Sequence, residues 1–446
     1  MNTRRGDRRI FIGLTEVSGY YAKLKKGFDE LGVHAEFFPL QAHRFRYTDE
    51  RYSSVPAFAR YCVIKRIDAM HKNQIAHAFW FLMVLLSRLS LFIWAAVKFD
   101  AFLLGGGSSF FRFRELPLLR ALGKKIVYTF HGTDSRPAYI DGFCESITPP
   151  QALAPGIEWP DEKTVRTYCR IANARKQNVR RVEKYANVVV NAPPQAQFHT
   201  RPFIVGLAVG LPFDLAGAPV RYREDGGPVR ALHSPSESEA KGTKEIRIAV
   251  ESLQRDGVRI DYVEIRGRPN AEVLAEIDRC DFVIDQLYSD SPMAGFAAEA
   301  AFYGKPAVVG GYYCERVQDD LRETWLPPSL YCRPERIRDA ILTMATDRAL
   351  RLQLGLRAKE FVESNWTARQ VARRYLQLID GNFPRDWLYD PGRNRYVHGM
   401  GFPESRLRLL LRKLIERAGT EALRLTEHPE LERLFVNFAK SGNADA

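Results

Sequence analysis

A lysine, a glycine and a threonine stand together where a helical pattern begins, in the stretch HSPSESEAKGTKE that follows a short apolar run. Backbone N–H groups at the start of a helix have no partner within the helix, and the helix dipole adds partial positive charge there. Gly242 lets the backbone approach a ligand, while the Lys241 ammonium and the Thr243 hydroxyl can contact an anion. The pattern indicates a candidate anion site, with an ordinary capped surface turn as the alternative.

A second candidate segment, SPMAGFAAEAAFYGKPAVV at residues 291–309, leads through small residues into a helix that carries Glu299. Gly304, Lys305 and Pro306 then end the helix and start a buried strand. A carboxylate on the first turns of a helix can bind ribose hydroxyls while the helix amides hold phosphate. A solvated helix residue is the alternative for Glu299.

The composition is that of a folded globular chain with a basic surplus. The 446 residues include 66 Lys and Arg against 53 Asp and Glu, which gives a formal net charge of +13. This surplus favours an anionic partner, and the sequence contains no zinc-finger, helix-turn-helix or aromatic RNA-binding pattern, so nucleic acid is not expected. The six cysteines form no CxxC pair, which predicts neither a zinc site nor a disulfide framework and favours a reducing cytoplasmic setting.

Strand-like runs alternate with helical patterns along the first half of the chain. Strands are expected at 8–14, 35–40, 100–106, 124–132 and 187–193, and helices over about 18–31 and 163–186. Short apolar strands separated by helices predict a parallel sheet covered on both faces. The stretch 214–228 is rich in Gly, Pro and charge, so we place an N-terminal domain at 1–213 and a linker at 214–228.

The same alternation resumes after the linker. Strands are expected at 229–235, 261–267, 281–287 and 306–311, and helices from Thr243, from Ala271, around 297–303, over 334–363 and over 366–380. We predict a second domain at 229–380 and a helical extension at 381–446. The expected fold class is therefore α/β, with two doubly wound Rossmann-like domains that face a cleft, where open α/β sheets usually bind their ligands.

These segments resemble the C-terminal domain of retaining glycosyltransferases with the GT-B fold, of the family 4 type. The match runs in order through HSPSESEAKGTKEI, DFVIDQ and GFAAEAAFYGKPAVV, and with the first-domain run YTFHGTDSR it covers roughly residues 8–380. The resemblance implies transfer of a sugar from a nucleotide diphosphate sugar to an acceptor with retention. It implies that Lys241 contacts the donor pyrophosphate, that Glu299 holds the donor ribose and that His131 lies beside the transferred sugar.

Further residues are assigned to the donor and the acceptor. The resemblance places Gly19 in a glycine-bearing loop near the diphosphate. The neighbours of His131 could orient it or line the acceptor site, and the long loop 133–162 is expected to help select the acceptor. The expected catalytic residues are His131, Lys241 and Glu299, the acceptor-side residues are Asp134 and Arg136, and the donor-binding residues are Gly19, Ser236, Lys241, Gly242, Thr243, Arg266, Ser291, Gly295, Phe296 and Glu299.

Two positions depart from the family pattern. Ser291 stands where the first glutamate of a pair is found, and Ser236 stands where an arginine is common. We expect the backbone amides of Gly295 and Phe296, with Arg266, to replace these contacts. The alternative is a catalytically silent subunit that binds or positions a partner, and an epimerase acting on the donor alone is a second rival.

No metal is expected, because the sequence has no Asp-x-Asp pair where a cation would be needed. Lys241, helix amides and Arg266 are expected to meet the charge of the leaving group instead. No cofactor is expected, and the partners are the nucleotide sugar and a glycan or lipid-linked acceptor, in surface polysaccharide or glycolipid assembly of the bacterial type.

Residues 78–97 form an apolar run of membrane-spanning length that contains one charge, Arg88. A single crossing would separate the first strand from the rest of its sheet, so the run either packs within the first domain or lies against an anionic membrane surface. Trp80 and Trp94 suit the headgroup level, and the basic, Leu-rich helix at 406–425 could cap the domains or lie on the same surface. The expected location is cytoplasmic, with the inner face of the plasma membrane left open.

Overall fold

The computed structural model describes residues 8–40, 54–70, 72–144, 159–223 and 226–441. Twelve strands within these residues form two sheets. The strands are β1 (Ile10–Leu14), β2 (Ala35–Pro39), β3 (Ala101–Gly105), β4 (Lys125–Thr129), β5 (Val188–Asn191), β6 (Phe203–Val205), β7 (Val229–His233), β8 (Ile260–Glu264), β9 (Phe282–Ile284), β10 (Ala307–Gly310), β11 (Leu330–Cys332) and β12 (Leu388–Tyr389).

The helices of the described residues alternate with these strands and continue into the C-terminal region. They are α1 (Tyr20–Glu30), α2 (Ser54–Ala69), α3 (Gln74–Lys98), α4 (Leu116–Ala121), α5 (Glu162–Tyr185), α6 (Gly206–Val209), α7 (Thr243–Arg255), α8 (Asn270–Arg279), α9 (Gly295–Phe302), α10 (Val317–Asp320), α11 (Ile337–Thr346), α12 (Arg348–Asn365), α13 (Ala368–Asp380), α14 (Glu404–Ala418) and α15 (Pro429–Lys440).

The first sheet has seven strands in the order β12-β6-β5-β4-β3-β1-β2, and the second has five in the order β11-β10-β9-β7-β8. All pairings are parallel except that of β12 with β6. The strands β1 and β3 are buried along their whole length, as continuous apolar runs covered on both faces should be. The predicted fold class, two parallel α/β sheets with a helical C-terminal region, is confirmed.

Each sheet contains one point where successive connections run in opposite directions. In the first sheet β1 lies between β2 and β3, and in the second β7 lies between β8 and β9. The chain therefore leaves the carboxyl ends of neighbouring strands toward opposite faces, which opens a crevice there. The crevices beside β1 and β7 are where the structure can receive a ligand.

Three short strands were not expected from the sequence, and one expected helix is divided. The strands β6, β11 and β12 have three, three and two residues, too few to give a periodic signal. The helix expected over 334–363 is two helices, α11 and α12, because the Asp347 side chain caps the second one by accepting a hydrogen bond from the Leu350 amide at 2.9 Å.

The helix α13 packs on the first sheet, although the sequence analysis placed it at the end of the second domain. Tyr375 belongs to the buried cluster that contains Ile10 of β1. The close packing of α13 on α1 requires Gly27, where a Cβ atom would lie 2.0 Å from the Ala368 carbonyl oxygen. The chain therefore returns to the first domain before residue 380.

We expect Gly27→Ala to lower the free energy of unfolding by about 1–3 kcal/mol, because the added methyl group collides with backbone that cannot move aside freely. Glu30→Ala, at an exposed position of the same helix, is the matched control. Urea unfolding followed by circular dichroism measures both. Equal midpoints for the two variants would show that the α1–α13 contact is not tight.

Candidate active site

The lysine of the predicted anion site lies at the carboxyl edge of the second sheet. Lys241 Nζ is 3.3 Å from Asp285 Oδ1, just beyond the end of β9. The Lys241 side chain is 12% exposed and that of Asp285 is fully buried. Asp285 Oδ2 has no hydrogen-bond partner among the described residues. The ammonium therefore points into the crevice between β7 and β9 and away from the protein surface.

The start of α7 is fixed by a glycine and a buried histidine. Gly242 has a φ of +67°, and a Cβ atom there would lie 2.5 Å from Leu287 Cβ. His233 Nδ1 is 2.8 Å from the Ile284 carbonyl oxygen, and its Nε2 is 3.0 Å from Thr243 Oγ1. Since a carbonyl only accepts, Nδ1 donates and Nε2 accepts the hydroxyl proton of Thr243. The hydrogen bond from the Thr243 hydroxyl to His233 therefore fixes the start of α7.

Glu299 lies between the two domains. Its Oε1 accepts a hydrogen bond from Asn270 Nδ2 at 3.0 Å and is 3.8 Å from Nζ of Lys23, on α1 of the first domain. Burial raises the pKa of Glu299, Lys23 and Asn270 lower it, and the negative charge of Asp285 raises it further. Glu299 is thus a partnered carboxylate rather than a solvated helix residue, and Asp285 links it electrostatically to Lys241.

Lys23 completes this group of charges from the first domain. Burial lowers the pKa of Lys23, while the carboxylates of Glu299, Glu16 and Asp214 raise it. Its ammonium also lies 4.3 Å from the centre of the Phe213 ring. We call Lys23, Lys241, Asp285 and Glu299 the junction cluster, since these four charges meet where the domains face each other.

The glycine-bearing loop before α1 carries its own anion. The Glu16 carboxylate accepts hydrogen bonds from the backbone amides of Val17, Tyr21 and Ala22 at 2.7, 3.2 and 3.0 Å. Gly19, with a φ of +79°, provides the turn into the helix. The amides at the start of α1 are therefore already bonded to Glu16.

His131 lies just after β4 at the carboxyl edge of the first sheet. Its Nε2 is 3.0 Å from Tyr21 Oη, and burial lowers the pKa of His131 to about 4. The tyrosine hydroxyl fits because residue 105 is glycine, where a Cβ atom would lie 2.0 Å from it. The imidazole is therefore neutral at physiological pH and held by a tyrosine on α1.

Asp134 joins the loops that follow β3 and β4. Its Oδ1 accepts from the His131 amide and its Oδ2 accepts from the Gly107 amide, both at 2.8 Å. Burial raises the pKa of Asp134 to about 7, against the effect of these amide hydrogen bonds. Asp134 thus positions the backbone of His131.

Arg136 differs from the acceptor-side prediction, because its side chain is fully buried between the domains. Arg136 Nε donates to the Gly132 carbonyl at 2.6 Å, and its Nη2 forms an ion pair with Asp290 of the second domain. Gln195 Nε2 also donates to Asp290 Oδ2, at 3.3 Å. A guanidinium with no exposed surface cannot line an open acceptor site, so Arg136 acts as a clamp between the domains.

Small residues surround the start of α9, where the sequence analysis placed part of the donor-binding site. Ser291 Oγ lies 3.1 Å from the Met293 carbonyl oxygen and donates to it, which shapes the turn before the helix. Ala294 precedes the helix and provides no side-chain cap. Gly295 is exposed with open space beside it, and Phe296 follows half-buried. The beginning of α9 is therefore open to the crevice.

The two remaining donor-binding predictions are Ser236, which follows β7, and Arg266, which follows the edge strand β8. Ser236 is exposed in the loop after β7. Arg266 forms an ion pair with Glu264 at the end of the edge strand β8, and Arg247 binds the same carboxylate at 2.7 Å. Both arginines, Arg247 first, lower the pKa of Glu264 to about 2. The structure thus ties Arg266 to Glu264 and leaves Lys241 as the inward cation.

Sequence reasoning missed several polar groups that the structure brings to the site, namely Glu16, Tyr21, Lys23, Asn270 and Asp285. Asp285 had a usable signal, because it directly follows a buried strand of the second domain. Lys23 and Asn270 had none, since each looks like an ordinary helix residue. The described part of the chain contains no group of three or more His, Cys, Asp or Glu side chains that could hold a metal ion.

The sequence matches no family model and no curated protein. Among solved structures, Anabaena HepE in complex with UDP and glucose aligns with a TM-score of 0.43 and 11% identity, over 84% of this chain and 99% of that chain. The catalytic domain of Arabidopsis thaliana starch synthase IV bound to ADP and acarbose gives 0.44 and 11%, over 84% and 99%. S. aureus MnaA with UDP gives 0.38 and 11%, over 84% and 97%. Likeness at this level concerns the fold alone.

We expect acid to destabilise the protein through His233. Its pKa is lowered by burial to about 4, whereas a histidine of the unfolded chain takes up a proton near its usual value of about 6.5. Between these values the unfolded state binds more protons, so stability falls as the pH drops from about 6.5 to about 4. The His233→Asn variant should lose part of this dependence, measured as urea midpoints across that range.

The pH dependence of the variant's stability is compared with that of wild type, because Asp134 makes stability change with pH in the opposite direction to His233. With its pKa raised to about 7, folded Asp134 holds a proton that the unfolded chain releases near its usual value. His34→Asn is the control, since His34 is an exposed histidine outside the buried site. If His233→Asn keeps the wild-type dependence, the buried neutral imidazole does not contribute.

Proposed function

We propose that this protein is a glycosyltransferase that moves a sugar from a nucleotide diphosphate sugar to an acceptor hydroxyl, with retention and without a metal ion. The observation that carries the proposal is the inward Lys241, paired with Asp285 at the switch point of the second sheet, with Glu299 close enough for the Asp285 charge to raise its pKa. A lysine held there by one carboxylate oxygen can exchange that oxygen for a phosphate oxygen.

The second domain is the natural place for the diphosphate. No side chain caps the start of α7 or α9, so the amides of their first turns suit an anion together with Lys241, although the Thr243 amide already donates to the Ser238 carbonyl at 3.0 Å. The corresponding amides of α1 are bonded to Glu16. The developing charge on the leaving phosphate would then be met by Lys241 and the starts of these two helices.

Glu299 suits the ribose of the donor. Its carboxylate already accepts from one neutral donor, Asn270, and faces one distant cation, Lys23. Ribose hydroxyls can donate to the same carboxylate, since each of its oxygens accepts more than one hydrogen bond. Glu299 would thus orient the nucleotide while Lys241 binds its phosphates.

His131 suits the sugar or the acceptor, but not the phosphates. With a pKa of about 4 it carries no charge at neutral pH, so it cannot stabilise an anion as a cation would. Its neutral ring, fixed against Tyr21, can exchange hydrogen bonds with hydroxyl groups. The acceptor would enter from this side of the crevice.

The acceptor that we propose is a glycan or a lipid-linked sugar, in surface polysaccharide or glycolipid assembly of the bacterial type. The loop 133–162, expected to help choose it, includes residues 145–158, which lie outside the described residues. All six cysteines lie within the described residues as thiols rather than disulfides, which suits the proposed cytoplasmic setting.

A catalytically silent subunit remains the second candidate, and one observation favours it. Lys241 and Glu299 already have internal partners, Asp285 and Lys23, so the charges of the junction cluster balance without a ligand. Ser236 and Ser291 also stand where the family pattern has charged side chains. Donor binding separates the two functions.

We expect Lys241→Ala to lower turnover by about a hundredfold or more, because the lysine offsets charge that develops on the leaving phosphate. UDP-glucose, which is bound in one HepE structure, is the first donor to test, followed by a panel of other nucleotide sugars. Mass spectrometry of the products measures turnover. Lys244→Ala is the matched control, because Lys244 lies on the same helix and is exposed.

The same experiment separates the rival functions. A silent subunit would show no calorimetric binding of any donor in the panel. An epimerase would convert the donor in the absence of an acceptor. If Lys241→Ala turns over as fast as wild type, the lysine has no part in the reaction and the proposed mechanism fails.

A further inference from the structure

The helices α2 and α3 form a hairpin that exposes apolar side chains to solvent. The two helices pack on each other through Cys62, Val63 and Val84. Of the 21 exposed large hydrophobic residues in the described chain, 14 lie between residues 54 and 98. Exposed apolar area on this scale marks an interaction surface.

The exposed face of α3 is wide as well as apolar. Ile75, Phe79, Leu82 and Leu86 begin a stripe with helical spacing, and exposed residues such as Phe81 lie beside it. At 100° per residue, the exposed positions cover about half of the helix circumference. α3 has a mean hydropathy of 2.0 in its most apolar window, of which 28% is buried. An apolar face this broad fits a lipid bilayer better than the narrow contact that one packed helix would provide.

Most charges on the hairpin are basic, since α2 carries Arg60, Lys65 and Arg66 against the single acid Asp68. Helix α3 contains no Asp or Glu. Arg88, the charged residue near the middle of α3, is half-buried. It interacts electrostatically with Arg66, Arg112 and Glu115. Arg66 lies 4.8 Å from the Phe81 ring centre. Basic side chains near exposed aromatic rings, in a chain of net charge +13, match the headgroup region of an anionic bilayer.

The sheet fixes how the hairpin can meet a bilayer. The strands β1 and β3 precede and follow the hairpin in the chain, and they are neighbours in the sheet with Ile10 opposite Ala101. Both ends of the hairpin are therefore on the same side of any membrane. The last turns of α3 are anchored, with Trp94 at 5.2 Å from Phe38, whereas Ile75 near the turn is 82% exposed.

We propose that the α2–α3 hairpin is a membrane-binding element that places its apolar face in one leaflet of an anionic bilayer without crossing it. At 1.5 Å per residue α3 is about 37 Å long, more than one leaflet, so the hairpin lies at a slant or along the surface. The proposal stands independently of the proposed enzymatic function. It would bring the first-domain side of the crevice to the headgroup level.

The test is flotation of the full-length protein with vesicles of phosphatidylcholine, with and without phosphatidylglycerol. Wild type should float with the anionic vesicles, and salt should weaken this binding without abolishing it. The Leu82→Glu/Leu86→Glu double variant should lose about tenfold or more in vesicle affinity, because two apolar side chains no longer enter the leaflet. Both side chains are exposed, so the thermal unfolding transition should be that of wild type.

Ile248→Glu/Leu356→Glu is the matched control, because both residues are equally exposed hydrophobics on the second domain. It should float like wild type. The proposal is overturned if wild type stays soluble with both vesicle types, or if the two double variants bind alike. It is also overturned if light scattering shows a lipid-free dimer that Leu82→Glu/Leu86→Glu converts to a monomer, since a second copy would then cover the face.

Discussion

The structure depends on charges that are buried where the two domains meet. Removing a charged side chain from water costs several kcal/mol of free energy. An opposite charge close by is needed to offset this desolvation cost. Lys241 meets Asp285, Glu299 meets Lys23, and Arg136 meets Asp290, the last two pairs joining one domain to the other. Two of these pairs therefore join the domains, and we propose that an anionic ligand exchanges with an internal partner at the junction cluster.

The two domains contribute different chemistry to the crevice. The second domain supplies the inward lysine and two helix starts without side-chain caps, whereas the first supplies a neutral imidazole and a helix start already bonded to Glu16. α13 returns from the second domain to pack against Gly27 and fixes how the two halves approach. The exposed hairpin belongs to the first domain, on the side that we assign to the acceptor. A donor on one side and a membrane-borne acceptor on the other would then share one crevice.

Local patterns explain what the sequence predicted. Continuous apolar runs such as β1 and β3, and the Lys-Gly-Thr start of α7, depend on residues close together in the chain, so their type and position could be read directly. The partners of Lys241 and Glu299 could not, because Asp285 and Lys23 reach them only through the packing of the sheets and the domains. Arg136 could not be assigned from the sequence for the same reason. Its position near His131 suggested a place in the cleft, whereas its partner Asp290 lies far away in the chain. The hairpin sequence left burial and membrane contact equally open; the structure leaves one face of α3 exposed, and its contact with a membrane is our proposal.

The central claim is that Lys241 leaves Asp285 to bind the diphosphate of a nucleotide sugar. The most direct test is a crystal structure of the protein with UDP. The account predicts Lys241 Nζ at about 2.8 Å from a phosphate oxygen, with the starts of α7 and α9 facing the diphosphate. A structure in which UDP binds elsewhere while Lys241 stays on Asp285 would contradict it.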